Sequence, residues 1–171
     1  MFVEYSAELG LPNQLAAELL STHASEMEGI GAVAYRRGEE LRTKVGPGRL
    51  LAKEVVIALG PPAMSRWGMV LPVRWRATGA EALFPSLDGE LTVRPYGEGT
   101  LLQLRATYEP PLGSLGNLMD RALLARVARA TVADWVERIT QWLTTAASAE
   151  REHDLHDGTH SDDGAHRDFA P

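Results

Sequence analysis

The 171-residue chain contains no cysteine, which excludes disulfide bonds, thiol nucleophiles and thiolate metal sites. It also lacks any apolar run near the roughly 18 residues that a membrane-spanning helix needs. Residues 1–10 alternate in polarity, so they have neither the basic start nor the apolar stretch of a signal peptide. These absences together favour a cytoplasmic protein.

An excess of charge is also missing from most of the chain. The formal net charge is -6, but the segment from Glu150 to the end has seven acidic and two basic residues and carries -5 of it. Sixteen acidic and fifteen basic residues precede that segment. Because the charges of this part nearly cancel, no overall electrostatic field draws it to phosphate backbones or anionic membrane surfaces. We expect no nucleic-acid binding and no stable membrane insertion.

The composition is that of an ordinary globular protein, with 44% hydrophobic and 23% charged residues. The length suits one domain with one core. We predict that this domain covers residues 1–147. Residues 148–171 have too few apolar side chains to offset the entropy of ordering them, so we predict a disordered, acidic, histidine-rich tail.

The first part of the chain predicts a strand followed by helices. Apolar residues alternate with polar ones at Phe2, Val3, Tyr5, Ala7 and Leu9, which is typical of a half-buried strand. Pro12 suits a first helical turn, and a helical apolar stripe follows it at Leu15, Ala16, Leu19 and Leu20. We predict a second short helix over 21–29, then a turn at Gly29 and Gly31 into a strand over 32–36.

The middle of the chain predicts a series of strands. Residues 51–59 are rich in β-branched side chains and are followed by Gly60, Pro61 and Pro62, which end a strand. Residues 69–77 alternate between apolar and mostly polar side chains. Segments 87–95 and 100–108 flank Gly97 and Gly99, which predicts a hairpin.

A change of period predicts a long amphipathic helix over about residues 118–145, with Asn117 as its cap. At about 1.5 Å per residue this helix is close to 40 Å long, enough to cross a whole sheet. Its apolar stripe consists of Leu124, Val127, Ala128, Thr131, Trp135, Ile139 and Trp142.

This order of elements resembles the START-like or SRPBCC superfamily over about residues 1–145. The resemblance is carried mainly by residues 83–121, which contain Leu-Phe-Pro-Ser-Leu-Asp-Gly, Gly-Thr-Leu-Leu-Gln-Leu and Tyr-Glu-Pro-Pro-Leu-Gly-Ser-Leu-Gly. The superfamily includes polyketide cyclase/dehydrase and lipid-transport proteins. The resemblance implies an α+β helix-grip fold: a curved antiparallel sheet wrapped around a long C-terminal helix, with two short helices after the first strand and a cavity between sheet and helix.

The resemblance also implies that this cavity binds or transports a small hydrophobic ligand such as a lipid or polyketide. The alternatives are a cyclase or dehydratase enzyme using the same cavity, and a regulatory or stress-related interaction protein. Residues on the predicted apolar faces are the candidates for the cavity wall, and the competing interpretation of each is plain core. These candidates are Trp67, Met69, Leu71, Trp75, Leu104, Tyr108, Leu124 and Trp135.

Two titratable residues invite a catalytic interpretation. Glu54 would face inward if Val56 does, but the pattern is equally consistent with Ile57 facing in. His23 is the one histidine outside the tail, and a helical histidine is more often structural. We assign no catalytic residue.

The tail histidines His153, His156, His160 and His166 could bind a divalent metal weakly, but nothing holds them in a fixed geometry. A solvated tail is the preferred interpretation of this segment. We therefore expect no metal site and no cofactor.

Overall fold

The computed structural model describes residues 1–45, 55–77, 86–109 and 121–157. These residues form six strands and three helices. In chain order the elements are β1 (Phe2–Leu9), α1 (Asn13–Thr22), α2 (Ala24–Val45), β2 (Val55–Leu59), β3 (Ala63–Ser65), β4 (Gly68–Ala77), β5 (Ser86–Tyr96), β6 (Gly99–Glu109) and α3 (Arg121–Asp157).

The strands form one antiparallel sheet in the order β1-β6-β5-β4-β2, with β3 paired to the start of β4. The alternation predicted for β1, β4, β5 and β6 is confirmed, since one face of these strands is buried. The predicted hairpin joins β5 to β6, and Gly97 in its turn has a φ of +56°. A side chain is disfavoured at that backbone angle.

Strands β2 and β3 share one edge of the sheet, because both pair with β4. The predicted stop after β2 is confirmed: Gly60 leaves the strand and its amide donates to the carbonyl of Pro72 at 2.8 Å. Within β2, Ile57 is buried and Val56 is 54% exposed. The structure therefore shows the register in which Ile57 faces the core. Residues 51–54, including Glu54, lie outside the described part of the chain.

The long helix α3 contacts α2, α1, β1 and β6, so it lies across one face of the sheet. Five of the seven residues predicted for its apolar stripe are buried, Trp142 is partly buried, and the side chain of Leu124 lies outside the described part. Among the described side chains the buried stripe is wider than predicted. The buried residues on α3 are Val127, Ala128, Thr131, Val132, Trp135, Val136, Ile139, Leu143 and Ala147. The predicted cap Asn117 lies outside the described residues.

The C-terminal end of α3 differs from the prediction. The helix continues to Asp157, twelve residues past the helix end predicted at about residue 145. Residues 148–157 contain alanine, glutamate and arginine, which are strong helix formers, and have no glycine or proline before Gly158. Residues 158–171 lie outside the described part.

The second helix predicted after β1 is present, but its predicted end at residue 29 and the strand predicted over 32–36 are wrong. Residues 24–45 form the single helix α2 instead. Gly31 lies inside this helix, where a Cβ atom would come within 2.5 Å of Ile57 Cδ1 and 2.9 Å of Trp135 Nε1. Glycine is therefore present because β2 and α3 approach this face of α2 closely, and it does not mark a turn.

Hydrogen bonds between distant parts of the chain fix the position of β1. The N-terminal ammonium of Met1 donates to the carbonyl of Tyr108, and the amide of Tyr108 donates to the carbonyl of Met1, each at 2.7 Å. The hydroxyl of Tyr5 donates to Glu137 Oε1 at 2.7 Å, which ties β1 to α3. Within the described residues, none of the helices has the length and apolar character needed to cross a bilayer.

Candidate functional site

Four strands contribute one row of side chains to the inner face of the sheet, the face that α3 covers. Ile57 lies opposite Trp75, Trp75 opposite Leu87, and Leu87 opposite Tyr108. All four residues are buried. The row marks one end of the sheet, because β2 and β5 begin near it and β4 and β6 end near it.

An aromatic pair joins this row to the helices. The rings of Trp75 on β4 and Trp135 on α3 meet edge to face, with centroids 5.4 Å apart and an interplanar angle of 74°. The Trp135 indole nitrogen donates to the carbonyl of Met27 on α2 at 3.3 Å. Gly31, one turn further along α2, leaves the space that the Trp135 ring occupies. The sheet and both long helices thus meet at Trp135.

The next rows along the sheet alternate in side-chain size. In the row beyond Trp75 and Tyr108, the three central strands bear small residues, Val73, Gly89 and Ala106. Leu59 on β2 and Val3 on β1 flank these three. Gly89 is confined there, because a Cβ atom would collide with Ala106 and with the carbonyl oxygen of Arg105. Large residues return in the rows of Leu71, Leu91 and Leu104 and of Met69, Val93 and Leu102. On β4, β5 and β6, the row of Val73, Gly89 and Ala106 contributes the least side-chain volume to the interior.

The predicted wall residues divide into three groups. Six of them are buried in the same hydrophobic cluster: Met69, Leu71, Trp75, Leu104, Tyr108 and Trp135. Trp67 lies apart, in the turn between β3 and β4, where it is 69% exposed. Leu124 is in α3, but its side chain lies outside the described part of the structure.

The sequence interpretation missed four residues that surround the aromatic pair: Met27, Gly31, Ile57 and Leu87. Leu87 had a detectable signal, since it continues the alternation of Leu91 and Val93 on β5. Met27 and Gly31 had none, because the segment that contains them was interpreted as a short helix and a turn.

The buried polar residues of the described interior are Thr100 and Thr131. Each hydroxyl donates to a backbone carbonyl, that of Leu11 at 2.7 Å and that of Val127 at 3.0 Å. The described interior is therefore apolar apart from hydroxyls engaged by the backbone, the polar groups of its aromatic side chains and the buried amide oxygen of Asn13.

His23, the other catalytic candidate, lies on the surface between α1 and α2. Its Nδ1 is 3.4 Å from Glu26 Oε1, and its ring meets the edge of Trp142 at a centroid distance of 5.3 Å. The pKa of Glu26 is lowered by its own backbone amide at the start of α2, then by the Ser25 hydroxyl and His23. These contacts hold the α1–α2 junction together. In the described ranges no group of three metal-ligating side chains occurs.

The opposite face of the sheet carries an open depression of about 440 Å³ over Gly89. Charged side chains line it, and two of them, Arg74 and Asp88, form an ion pair at 3.2 Å. Arg105 reaches Glu4 at 3.5 Å beside it. This outer depression is polar and solvent-exposed, so it is separate from the apolar interior.

An antiparallel sheet of this order, two helices after the first strand and a long C-terminal helix across the inner face together define the architecture. The fold is the helix grip. No protein-family model matches the chain, and no curated protein matches it.

Three solved structures illustrate the likeness in fold. TTHA0849 from Thermus thermophilus is 18% identical with a TM-score of 0.46, and the match covers 85% of this chain and 99% of that one. DynU16, a protein in the dynemicin biosynthetic locus, is 16% identical with a TM-score of 0.45, covering 85% and 48%. Ara h 8.0201 is 9% identical with a TM-score of 0.47, covering 85% and 98%. The assignment of the fold rests on the element order and strand pairing of the chain itself.

Proposed function

We propose that the chain binds and carries a small hydrophobic molecule, such as a lipid or polyketide, between the inner face of the sheet and α3. The observation that carries this proposal is the concentration of buried aromatic side chains at one end of the described interior. Trp75, Trp135 and Tyr108 lie at that end. The far rows have leucine, valine and methionine on β4, β5 and β6, with the partly buried Tyr5 and Ala7 beside them on β1.

This distribution suits a ligand that is mostly apolar and has one polar group. Tryptophan and tyrosine offer a large apolar surface together with one hydrogen-bonding atom each, and binding sites place few polar groups among many apolar ones. The side chains of Val73, Gly89 and Ala106 are smaller than those in the rows on either side of them. We therefore place the ligand against this row, with Met69, Leu71 and Leu104 as the proposed deeper wall. Leu124 stays a predicted wall residue without an assigned position.

Carriage is favoured over cyclase or dehydratase chemistry. Such an enzyme needs a proton-transferring group that faces the reacting molecule. In the described interior, the hydroxyls of Thr100 and Thr131 are engaged with backbone carbonyls. His23 lies on the surface beside Glu26. The proposal therefore assigns apolar contact, and no reaction, to this site.

Native mass spectrometry of the protein purified from its own host tests the proposal. We expect a copurified apolar molecule that organic extraction removes. A fluorescent fatty acid should then bind the extracted protein and be displaced by that molecule. A mass equal to that of the bare chain, together with no displacement by any lipid class, would refute carriage.

A further inference from the structure

The turn between β3 and β4 bears two large apolar side chains that point into solvent. Met64 is 73% exposed and Trp67 is 69% exposed, more than any other large hydrophobic side chain of the described residues. Single exposed apolar residues are normal, but these two share a four-residue segment, 64–67, called here the β3–β4 tip. Residues 61–63 beside it are also exposed and uncharged.

Two hydrogen bonds and a close backbone contact constrain the backbone of the β3–β4 tip. The Ser65 hydroxyl donates to the carbonyl of Gly68 at 2.9 Å, and the amide of Trp67 donates to the Ser65 oxygen at 3.2 Å. Gly68 has a φ of +132° and lies against Val93, where a Cβ atom would collide with the carbonyl oxygen. Little conformational entropy is therefore lost if the tip binds a surface.

The charge of the tip is positive. Arg66 is the one charged residue in segment 60–70, and its guanidinium carbon lies 4.7 Å from the centre of the Trp67 ring. Arg94 on β5 is exposed, and its backbone lies beside Gly68. Within the described residues neither arginine forms an ion pair with a carboxylate. Both cations are available to an anionic surface.

The shape of the tip favours a lipid surface over a protein partner. A partner strand is disfavoured because Pro61 and Pro62 interrupt this edge of the sheet. A protein interface needs about 800 Å² from each partner, more than two projecting side chains supply. A bilayer interface requires no complementary shape, it accommodates tryptophan at the headgroup level, and its anionic lipids attract arginine.

We propose that the β3–β4 tip docks the protein reversibly on an anionic lipid surface, with Trp67 and Met64 in the interfacial layer and Arg66 and Arg94 against lipid phosphates. The proposal goes beyond ligand carriage and does not depend on what the interior binds. Docking is weak and salt-sensitive, because the rest of the chain contributes no attraction to anionic lipid and surface charges are screened.

Co-sedimentation with sucrose-loaded vesicles tests this docking. We expect the protein to bind vesicles of phosphatidylcholine and phosphatidylglycerol, and to bind pure phosphatidylcholine much less. Trp67→Ala should lower the partition coefficient about tenfold, and Arg66→Gln about fivefold. The matched control is Phe2→Ala, because Phe2 is 65% exposed at the opposite end of the sheet and should leave partitioning unchanged.

A fluorescence measurement locates the contact. Anionic vesicles should shift the tryptophan emission of the wild type to shorter wavelength, and Trp67→Phe should abolish that shift while keeping co-sedimentation. The proposal is overturned if the protein does not sediment with anionic vesicles, or if Trp67→Ala and Phe2→Ala partition equally. A concentration-dependent dimer that Trp67→Ala abolishes would also overturn it, in favour of a second copy at the tip. Native mass spectrometry reports on the interior ligand separately.

Discussion

The indole nitrogen of Trp135 on α3 donates a hydrogen bond of 3.3 Å to the backbone carbonyl of Met27 on α2. Both residues are fully buried. This bond joins the two long helices at the level where the Trp135 ring meets Trp75 on the sheet. The three layers that enclose the interior are therefore coupled through one side chain.

Trp135→Phe should destabilise the protein by about 1–3 kcal/mol, because it removes this hydrogen bond and part of a buried ring. Trp142→Phe is the matched control on the same helix, since Trp142 is only partly buried and meets His23 at the surface. We expect it to cost less than about 1 kcal/mol. Urea unfolding measures both free energies. Equal losses would show that Trp135 does not join the layers.

Gly31 and Gly29 form a second matched pair, two residues apart in α2. A Cβ atom at Gly31 would lie within 3 Å of Ile57 and Trp135, whereas a Cβ atom at Gly29 would meet nothing within 4 Å. Gly29→Ala should stabilise the helix by up to about 1 kcal/mol. Gly31→Ala should lose that gain to overpacking and end about 1–2 kcal/mol less stable than Gly29→Ala. Equal stabilisation of both variants would contradict the close approach at Gly31.

The hydrogen bond from Tyr5 to Glu137 predicts a pH dependence. It raises the pKa of Tyr5 above its ordinary value of 10.0, with burial and the Glu137 charge acting in the same direction. A raised folded-state pKa stabilises the fold below pH 10, and that stabilisation is lost as the pH rises through the raised value. The difference in unfolding free energy between the wild type and Tyr5→Phe should therefore shrink between pH 9 and pH 12.

Urea titrations at several pH values measure that difference. The control repeats the Tyr5→Phe comparison in a Glu137→Ala background. That background lacks the hydrogen-bond acceptor, so the difference in unfolding free energy should be small at every pH. A difference that grows with pH would contradict the hydrogen bond as the cause.

Much of the fold could be predicted because the sheet and α3 follow simple periods. In β4 the buried residues recur every second position from Met69 to Trp75. The same rule failed at Trp67, because the chain turns at Gly68, whose φ is +132°, and Trp67 therefore lies outside the strand. The β2 register was undetermined because Val56 and Ile57 are both apolar, and only contact with α2 and α3 selects Ile57.

The error in α2 has a different physical origin. When only the sequence is known, two glycines close together indicate a turn. Glycine is required at position 31 because Ile57 and Trp135, which are distant in sequence, leave no space for a side chain there. Met27 became a candidate site residue only when α2 was known to continue past Gly31. The burial of Trp75 and of Trp135 could be predicted, since each lies on an apolar stripe. Their contact with each other could not, because it depends on how α3 crosses the sheet.

A larger side chain in the row of small residues should distinguish a ligand-binding cavity from a fully packed core. Ala106→Leu adds three carbon atoms on the inner face of β6, and Thr107→Leu is the matched control on its outer face. If a ligand occupies the space beside Ala106, the first variant should remain folded and lose fatty-acid binding, and the control should keep it. In a solid interior, Ala106→Leu would cost about 1–3 kcal/mol with no binding to lose.

The most direct test of the ligand site is quenching of the two interior tryptophans by a brominated fatty acid. The double variant Trp67→Phe, Trp142→Phe retains Trp75 and Trp135, whose ring centres are 5.4 Å apart in the interior. Ligand between sheet and helix should quench their emission saturably, and the unbrominated acid should reverse the quenching. Emission that stays unchanged at every concentration of the brominated acid would contradict a ligand site beside Trp75 and Trp135.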